Sequence, residues 1–249
     1  MSFKNIPIIK RIIPSIRKNL RLILKKEIFW AKINDIFFLL DIRQKQDREF
    51  YFKQKYEEDN FNFLDNNAFF NKSFIFVDVG CNIGIYTLII SKKFTNCNKV
   101  IAIEPILSTF KRLVSNIKVN KIEKITTALN IALSDKDGKS KMQSISKNNQ
   151  VQLSKFEINK EGDIEVDTKR FDNLFNFINE NIFIKCDAEG HEYKIIEGMK
   201  NTLIKNNCFL QIEIFEKNYN VMKKLLNELG YTKLASSKEK DTYFFVKLI

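Results

Sequence analysis

The stretch FVDVGCNIGIYTL, residues 76–88, holds two of the chain's seven glycines, Gly80 and Gly84, where an apolar run ends and a helical pattern begins. The run FIFVDV (74–79) reads as a buried strand, and Ile85 to about Phe94 as a helix. Glycine at 80 permits a tight turn and lets a ligand approach the backbone. Amides at a helix start suit a carboxylate or phosphate. An ordinary strand-to-helix turn also uses glycine, so spacing has to decide. The two glycines stand four apart with Asn82 between them, which is not the GxGxxG dinucleotide fingerprint, and no GK[ST] of a phosphate loop follows.

Outward from this turn the chain alternates regularly. KVIAIE (99–104) reads as a second strand and Ser108–Asn120 as a helix; ITTALNIAL (125–133) reads as a third strand. A polar interval, 134–170, carries the turn SDKDGKS and room for a short strand or two. IFIKCD (182–187), a helix over Glu192–Lys205, CFLQIEIF (208–215) and a helix to about Leu229 follow. GYTKLA and TYFFVKLI close the chain as a pair of strands able to run antiparallel. Buried-looking strands alternating with helices imply an α/β fold, an open parallel sheet with helices on both faces. Ligands of such sheets sit at the carboxyl ends of the strands where strand order reverses. Glu104 ends the second strand about 20 residues beyond the glycine turn, where a carboxylate accepts both hydroxyls of a ribose.

The chain has 249 residues, 44% hydrophobic and 29% charged, enough for one substantial domain with an appendage. Its formal charge of +12 is uneven: residues 1–32 carry +8, with nine Lys/Arg against Glu27 alone. Ile16, Leu20, Ile23, Leu24 and Ile28 recur at helical steps after Pro14, and residues 35–72 read as a mixed, Phe-rich helical segment. We therefore divide the chain into a basic N-terminal helical extension, 1–72, and a domain, 73–249. The extension reads as a packed helix with a solvated basic side; its alternative is contact with an anionic membrane surface or nucleic acid. Cys81, Cys97, Cys186 and Cys208 show no CxxC spacing, which argues against a disulfide framework or a zinc site. With no secretory signal pattern and no uncharged apolar run of about 18 residues, the expected location is cytoplasmic, with peripheral membrane contact through the arm as an option.

DVGCNIGIYTL, VIAIEP, NIKVN, NIALSDKDG, IKCDAEGHEYKIIEGM and LQIEIFE, in this order, resemble the FkbM family of S-adenosylmethionine-dependent methyltransferases over roughly residues 74–216. KCDAEGHE (185–192) is the most specific of these motifs. The resemblance implies a seven-stranded Rossmann-like class I methyltransferase fold, and methyl transfer to an oxygen, often a hydroxyl of a sugar or natural product. It implies that Asp78, Gly80, Cys81, Asn82 and Gly84 hold the methionine part of S-adenosylmethionine. Tyr86 and Thr87 would open the helix below it, Glu104 would hold the ribose, and Ala132 would lie near the adenine. Cys81 stands where family members often carry alanine, a small-for-small change.

Asp187 closes the fourth strand and, in this fold, faces the transferred methyl. Methyl transfer to a hydroxyl is an in-line displacement that needs an aligned nucleophile and removal of its proton. Asp187, assisted by Glu189 or by His191, the chain's single histidine, is the catalytic expectation. The residues leave open that His191 makes a structural hydrogen bond and that Asp187 orients the cofactor. No metal is assigned, although Asp187, Glu189, His191 and Glu213 have the chemistry to ligate a divalent cation. The expected partner is a small-molecule or glycan acceptor.

Amino methyltransferases acting on bases usually carry [DNS]PP[YFW] and cytosine-C5 enzymes a Pro-Cys pair; prolines only at 7, 14 and 105 supply neither. An RNA ribose 2′-O-methyltransferase remains an alternative through Lys185, Asp187, Glu213 and the basic arm, although no Arg-rich stripe supports nucleic acid. A methyltransferase fold kept as a binding or scaffold protein is the other.

Overall fold

The computed structural model describes residues 27–143, 145–147, 150–152, 162–237 and 241–247. The helix expected from Ser15 lies outside these, except for Ile28. That residue opens a β-hairpin of β1 (Ile28–Ile33) and β2 (Ile36–Asp41), so this part of the extension is not helical. Asn34 and Asp35 form its two-residue turn at φ 48° and 63°, the left-handed pair that matches strand twist. Ala31, Ile33, Ile36, Phe38 and Leu40 alternate as its buried face, a period of two hidden by the density of Ile and Phe. Helix α1 (Lys45–Lys53) follows. These elements belong to a compact unit that ends at Tyr56 and also takes in Ser146–Gln152.

The second unit begins at Glu57. It opens with α2 (Glu58–Asp65) and a 3₁₀ turn at Ala68–Asn71. Seven strands form the main sheet: β3 (Phe74–Val79), β4 (Cys97–Ile103), β5 (Thr126–Leu129), β9 (Asn181–Cys186), β10 (Asn207–Glu213), β11 (Tyr231–Ser236) and β12 (Thr242–Lys247). Their order is β11-β12-β10-β9-β3-β4-β5, parallel except that β12 runs antiparallel to both neighbours. Strand order reverses between β3 and β9, which puts the glycine turn and the Asp187 loop side by side. Between these strands lie α3 (Ile85–Lys93), α4 (Leu107–Val119), α5 (Phe171–Leu174), α6 (Glu192–Gly198), α7 (Lys200–Lys205) and α8 (Glu216–Glu228). Helices cover both sheet faces, and the fold is the class I methyltransferase architecture expected. Among the described residues no helix is long and apolar enough to cross a membrane.

Two expected elements divide. The third strand breaks at Asn130, whose side chain donates to the carbonyls of Glu104 (2.9 Å) and Pro105 (2.8 Å). Beyond it β6 (Ala132–Leu133) joins β7 (Gly138–Met142) and β8 (Ile164–Lys169) in a small sheet of order β6-β8-β7. The helix over 192–205 breaks at Met199 because α7 has its own start: Asp172 accepts hydrogen bonds from the amides of Asn201 and Thr202 and from the Thr202 hydroxyl. Gly198 ends α6 where an added Cβ would stand 2.1 Å from the Ser134 carbonyl oxygen.

The two faces of the sheet differ. Ile75, Val77, Val79, Ile182, Ile184, Cys186, Leu210 and Ile212 form one, packed with Ile195, Ile196, Leu203, Met222 and Leu226 in the main core. The other repeats a pattern across three adjacent strands: Phe76-x-Asp78-x-Gly80, Phe183-x-Lys185-x-Asp187 and Phe209-x-Gln211-x-Glu213. Phe183 is in register with Phe76 and Phe209, and Lys185 with Asp78 and Gln211. Phe76 and Phe183 stack with centroids 4.9 Å apart, and Phe70 of the 3₁₀ turn meets Phe183 and Phe209 edge-on. This face is aromatic at its amino end and polar at its carboxyl end.

Candidate active site

Asp78 is fully buried at the end of β3. Thr87, one turn into α3, donates to its Oδ2 at 2.6 Å, while Oδ1 is buried without a hydrogen-bond partner among the described residues. Burial pushes the Asp78 carboxyl up to about 6, against the charge of Lys185 and the Thr87 hydroxyl. Gly80 has φ +73°, and a Cβ there would lie 1.9 Å from the Asp187 carbonyl oxygen, so only glycine lets the β3–α3 and β9–α6 loops meet. The Asp187 amide donates to Val79 O at 3.1 Å and ties the same two loops. Gly84, at φ +85°, starts α3 hard against Leu113 of α4.

The loop amides differ from the expectation of an anion cradle. Those of Gly80 and Cys81 both donate to Ile103 O at 3.0 Å, and that of Asn82 donates to Glu104 Oε2 at 3.0 Å. Glu104 Oε1 accepts from the Ile106 amide at 2.8 Å. Glu104 therefore clasps the glycine loop from the end of β4, and burial pushes its carboxyl up to about 7 against those two amides. Each of its oxygens keeps a further lone pair. Cys81 is a buried thiol, and Ala132 packs with Ile106, Met142 and Val166 in an apolar cluster.

The second group stands on β9 and β10. Lys185, almost fully buried, donates to Asp187 Oδ2 at 3.1 Å, and its ammonium lies 4.8 Å from the centroid of the Tyr86 ring. Burial, together with the charge of Asp187 and a hydrogen bond to it, pushes the Glu213 carboxyl up to about 9; Glu189 adds to the repulsion. Glu213 and Asp187 thus act as a carboxyl pair in which Glu213 keeps its proton at neutral pH. Among the expected catalytic residues, Asp187 lines the cleft here and Glu189 adds its field. His191 turns elsewhere: its Nε2 lies 3.0 Å from Ser134 Oγ. The Ser134 hydroxyl donates its one proton to Asp135 Oδ1 (3.0 Å), so Nε2–H is the donor to Ser134. Burial, with Lys194 nearby, pushes the imidazole down to about 4. Glu192 Oε1 accepts from the amides of Ala188 and Gly190 and fixes the loop. Among the described residues no group of three or more His, Cys, Asp or Glu takes a metal-holding arrangement, and the divalent-cation option gains no support.

Sequence reading missed a polar floor beneath this pair. Tyr86, read only as a helix opener, donates its hydroxyl to Glu57 Oε2 at 2.5 Å and accepts from Gln211 Nε2 at 2.8 Å. Glu57, Lys185, Cys186, Asp187, Gln211, Glu213 and Thr242 line a small cleft. The period-two pattern Phe209-x-Gln211-x-Glu213 carries a signal for Gln211; Glu57 and Thr242 arrive from distant parts of the chain and leave none.

A family model described as the methyltransferase FkbM domain matches residues 78–233. No curated protein matches the chain significantly. Among solved structures, the chain is similar to an FkbM methyltransferase from Methylobacillus flagellatus KT at 15% identity and a TM-score of 0.52, covering 80% of this chain and 52% of that one. It thus spans about half the length of that protein. It is also similar to M. jannaschii TYW2 in complex with AdoMet (13% identity, TM-score 0.42, 88% and 84% covered). A further match is the B. subtilis M1A22 tRNA methyltransferase TrmK (12%, 0.44, 77% and 65%). At such identities the likeness is one of fold, and only the first score exceeds 0.5. The family model covers most of the chain, through the glycine loop and both acidic strand ends, so the chain belongs to the FkbM methyltransferase family, whose chemistry is S-adenosylmethionine-dependent methyl transfer.

Proposed function

We propose that this methyltransferase is O-directed and transfers the methyl group to a hydroxyl of a sugar, glycan precursor or small metabolite. The chain's residues suit the cofactor. S-adenosylmethionine presents an ammonium, a sulfonium and ribose hydroxyls, and it meets acceptors here: the unpartnered Asp78 Oδ1 and the Glu104 carboxyl. Gly80, Cys81, Asn82 and Gly84 shape the loop, Thr87 fixes Asp78, and Ala132 offers an apolar wall. When bound, the cofactor supplies an electrophilic methyl group on its sulfonium.

The observation that carries the O-directed reading is the Asp187–Glu213 pair beside Lys185, on the strands next to the cofactor loop. A hydroxyl must lose its proton as its oxygen lone pair forms the new carbon–oxygen bond. The Asp187 carboxylate receives that proton, and Lys185 steadies the charge. Glu213, already protonated, donates rather than competes for the proton. His191, held by Ser134, positions the loop instead of acting as the base.

Calorimetric titration with S-adenosylmethionine and S-adenosylhomocysteine tests the first half: micromolar binding is expected in the wild type and is lost in Glu104→Ala. Asp187→Asn is expected to keep cofactor affinity within several-fold while labelled-methyl transfer to hydroxylated acceptors drops by about 100-fold or more. Unchanged transfer would remove Asp187 from the mechanism. The convergence of Lys185, Asp187 and Glu213 also favours a second reading, ribose 2′-O-methylation of RNA, whose mark would be RNA binding that weakens steeply with salt.

A further inference from the structure

The Tyr86 hydroxyl has one proton, and the Glu57 carboxylate takes it at 2.5 Å. Tyr86 can then only accept from Gln211, which turns the Gln211 amide nitrogen towards it at 2.8 Å. The opposite orientation would set two acceptors against each other. Gln211 Oε1 is thereby aimed away from Tyr86; it is buried and lacks a hydrogen-bond partner among the described residues, on a side chain that lines the cleft and is 2% exposed. A buried carbonyl left unmade is costly, and a group that persists in that state is waiting for a donor. Gln211 and Glu213 share one face of β10 two residues apart, about 6.6 Å along the strand.

The rest of the lining narrows what the donor is. Glu57 and Asp187 oppose an anion entering the cleft, and the Lys185 ammonium opposes a second cation. The enclosed space of the cleft is only about 10 Å³, room for a water-sized group, so it admits hydroxyl-sized groups of the acceptor rather than the whole molecule. Resting on the O-directed reading above, we propose that Gln211 Oε1 is a second anchor for the acceptor and that the cleft selects an uncharged vicinal diol: one hydroxyl at Asp187 and Glu213, its unmethylated neighbour donating to Gln211. Tyr86 and Glu57 are positioning residues that hold the Gln211 amide in this orientation. An internal RNA ribose, whose 3′ oxygen is esterified, has no such neighbour to give.

Ligand-observed NMR of the full chain with four probes tests this: cis-1,2-cyclohexanediol, cyclohexanol, cyclohexylamine and cyclohexanecarboxylate. The diol is expected to bind at least about tenfold more tightly than the other three, because a site built to pair a hydroxyl rejects the analogue lacking it. Gln211→Leu should bring diol and mono-alcohol within about twofold, and Tyr86→Phe, which frees the amide to turn, should weaken the diol selectively. Equal binding of diol and mono-alcohol, a tighter amine or carboxylate, an undiminished preference in Gln211→Leu, or no binding of the diol would each overturn the proposal. If Gln211→Leu does not fold, the order of the four probes on the wild type still decides. A diol that binds but is never methylated would preserve the subsite and sink the O-directed reading; methylation of alcohols without diol preference would do the reverse.

Discussion

Lys185 Nζ lies 3.1 Å from Asp187 Oδ2, two positions along the same face of β9, with its side chain only 7% exposed against 23% for Asp187. The same ammonium sits over the Tyr86 ring and lowers the cost of burying Asp78. One cation therefore links Asp78 on β3, Asp187 at the end of β9 and the Tyr86 ring of the polar floor.

Lys185→Met should be destabilising as well as inactivating. It removes one partner of a mostly buried pair and leaves the carboxylates of Asp78 and Asp187 without their counter-charge. A loss of about 3 kcal/mol in urea unfolding is expected, at the low end for buried pairs because Asp187 still reaches water. A loss below about 0.5 kcal/mol would show that the pair behaves as a surface ion pair.

Glu213→Gln should reveal the shared proton. The Glu213 carboxyl lies at about 9 in the folded protein against an ordinary 4.5, so the folded state binds more protons than the unfolded one between those values. Its contribution to stability therefore falls as pH rises through that window. Glutamine carries no such penalty, so the melting temperature of Glu213→Gln minus that of the wild type should grow from pH 5 to pH 9, reaching a few degrees. A difference independent of pH would place the pair's proton elsewhere.

Thr87→Val keeps the shape of α3 but removes the hydroxyl that Asp78 Oδ2 accepts at 2.6 Å. The fully buried carboxyl then loses its side-chain donor, which should cost about 1–3 kcal/mol at pH 8. At pH 5, below the value of about 6 to which burial raises Asp78, the carboxyl is protonated and the cost should shrink. Denaturant unfolding at the two pH values reads this directly, and cofactor affinity should fall with the pH 8 stability.

The parallel sheet was legible because its strands are short apolar runs punctuated by scarce glycines, and the runs at 74–79, 99–104, 182–187 and 208–215 appear within about two residues of their expected bounds, whereas that at 125–133 breaks at Asn130. The hairpin at 28–41 was not, since in a chain so rich in Ile and Phe the helical and strand periods both find apolar matches. His191 drew attention as the lone histidine, and its 3.0 Å contact to Ser134, 57 residues away, had no local signal.

The sequence by itself determined the local chemistry: a glycine turn that must follow a buried strand, carboxylates at the ends of β3, β4, β9 and β10, and an order of motifs that marks the family. Those features rest on backbone preferences and alternation, which act over a few residues. Only the tertiary structure decided which carboxyl keeps a proton, which amides are already committed, and which buried carbonyl lacks a partner. Those properties depend on burial and on groups such as Glu57 and Tyr86, 29 residues apart, which folding alone brings within hydrogen-bonding distance.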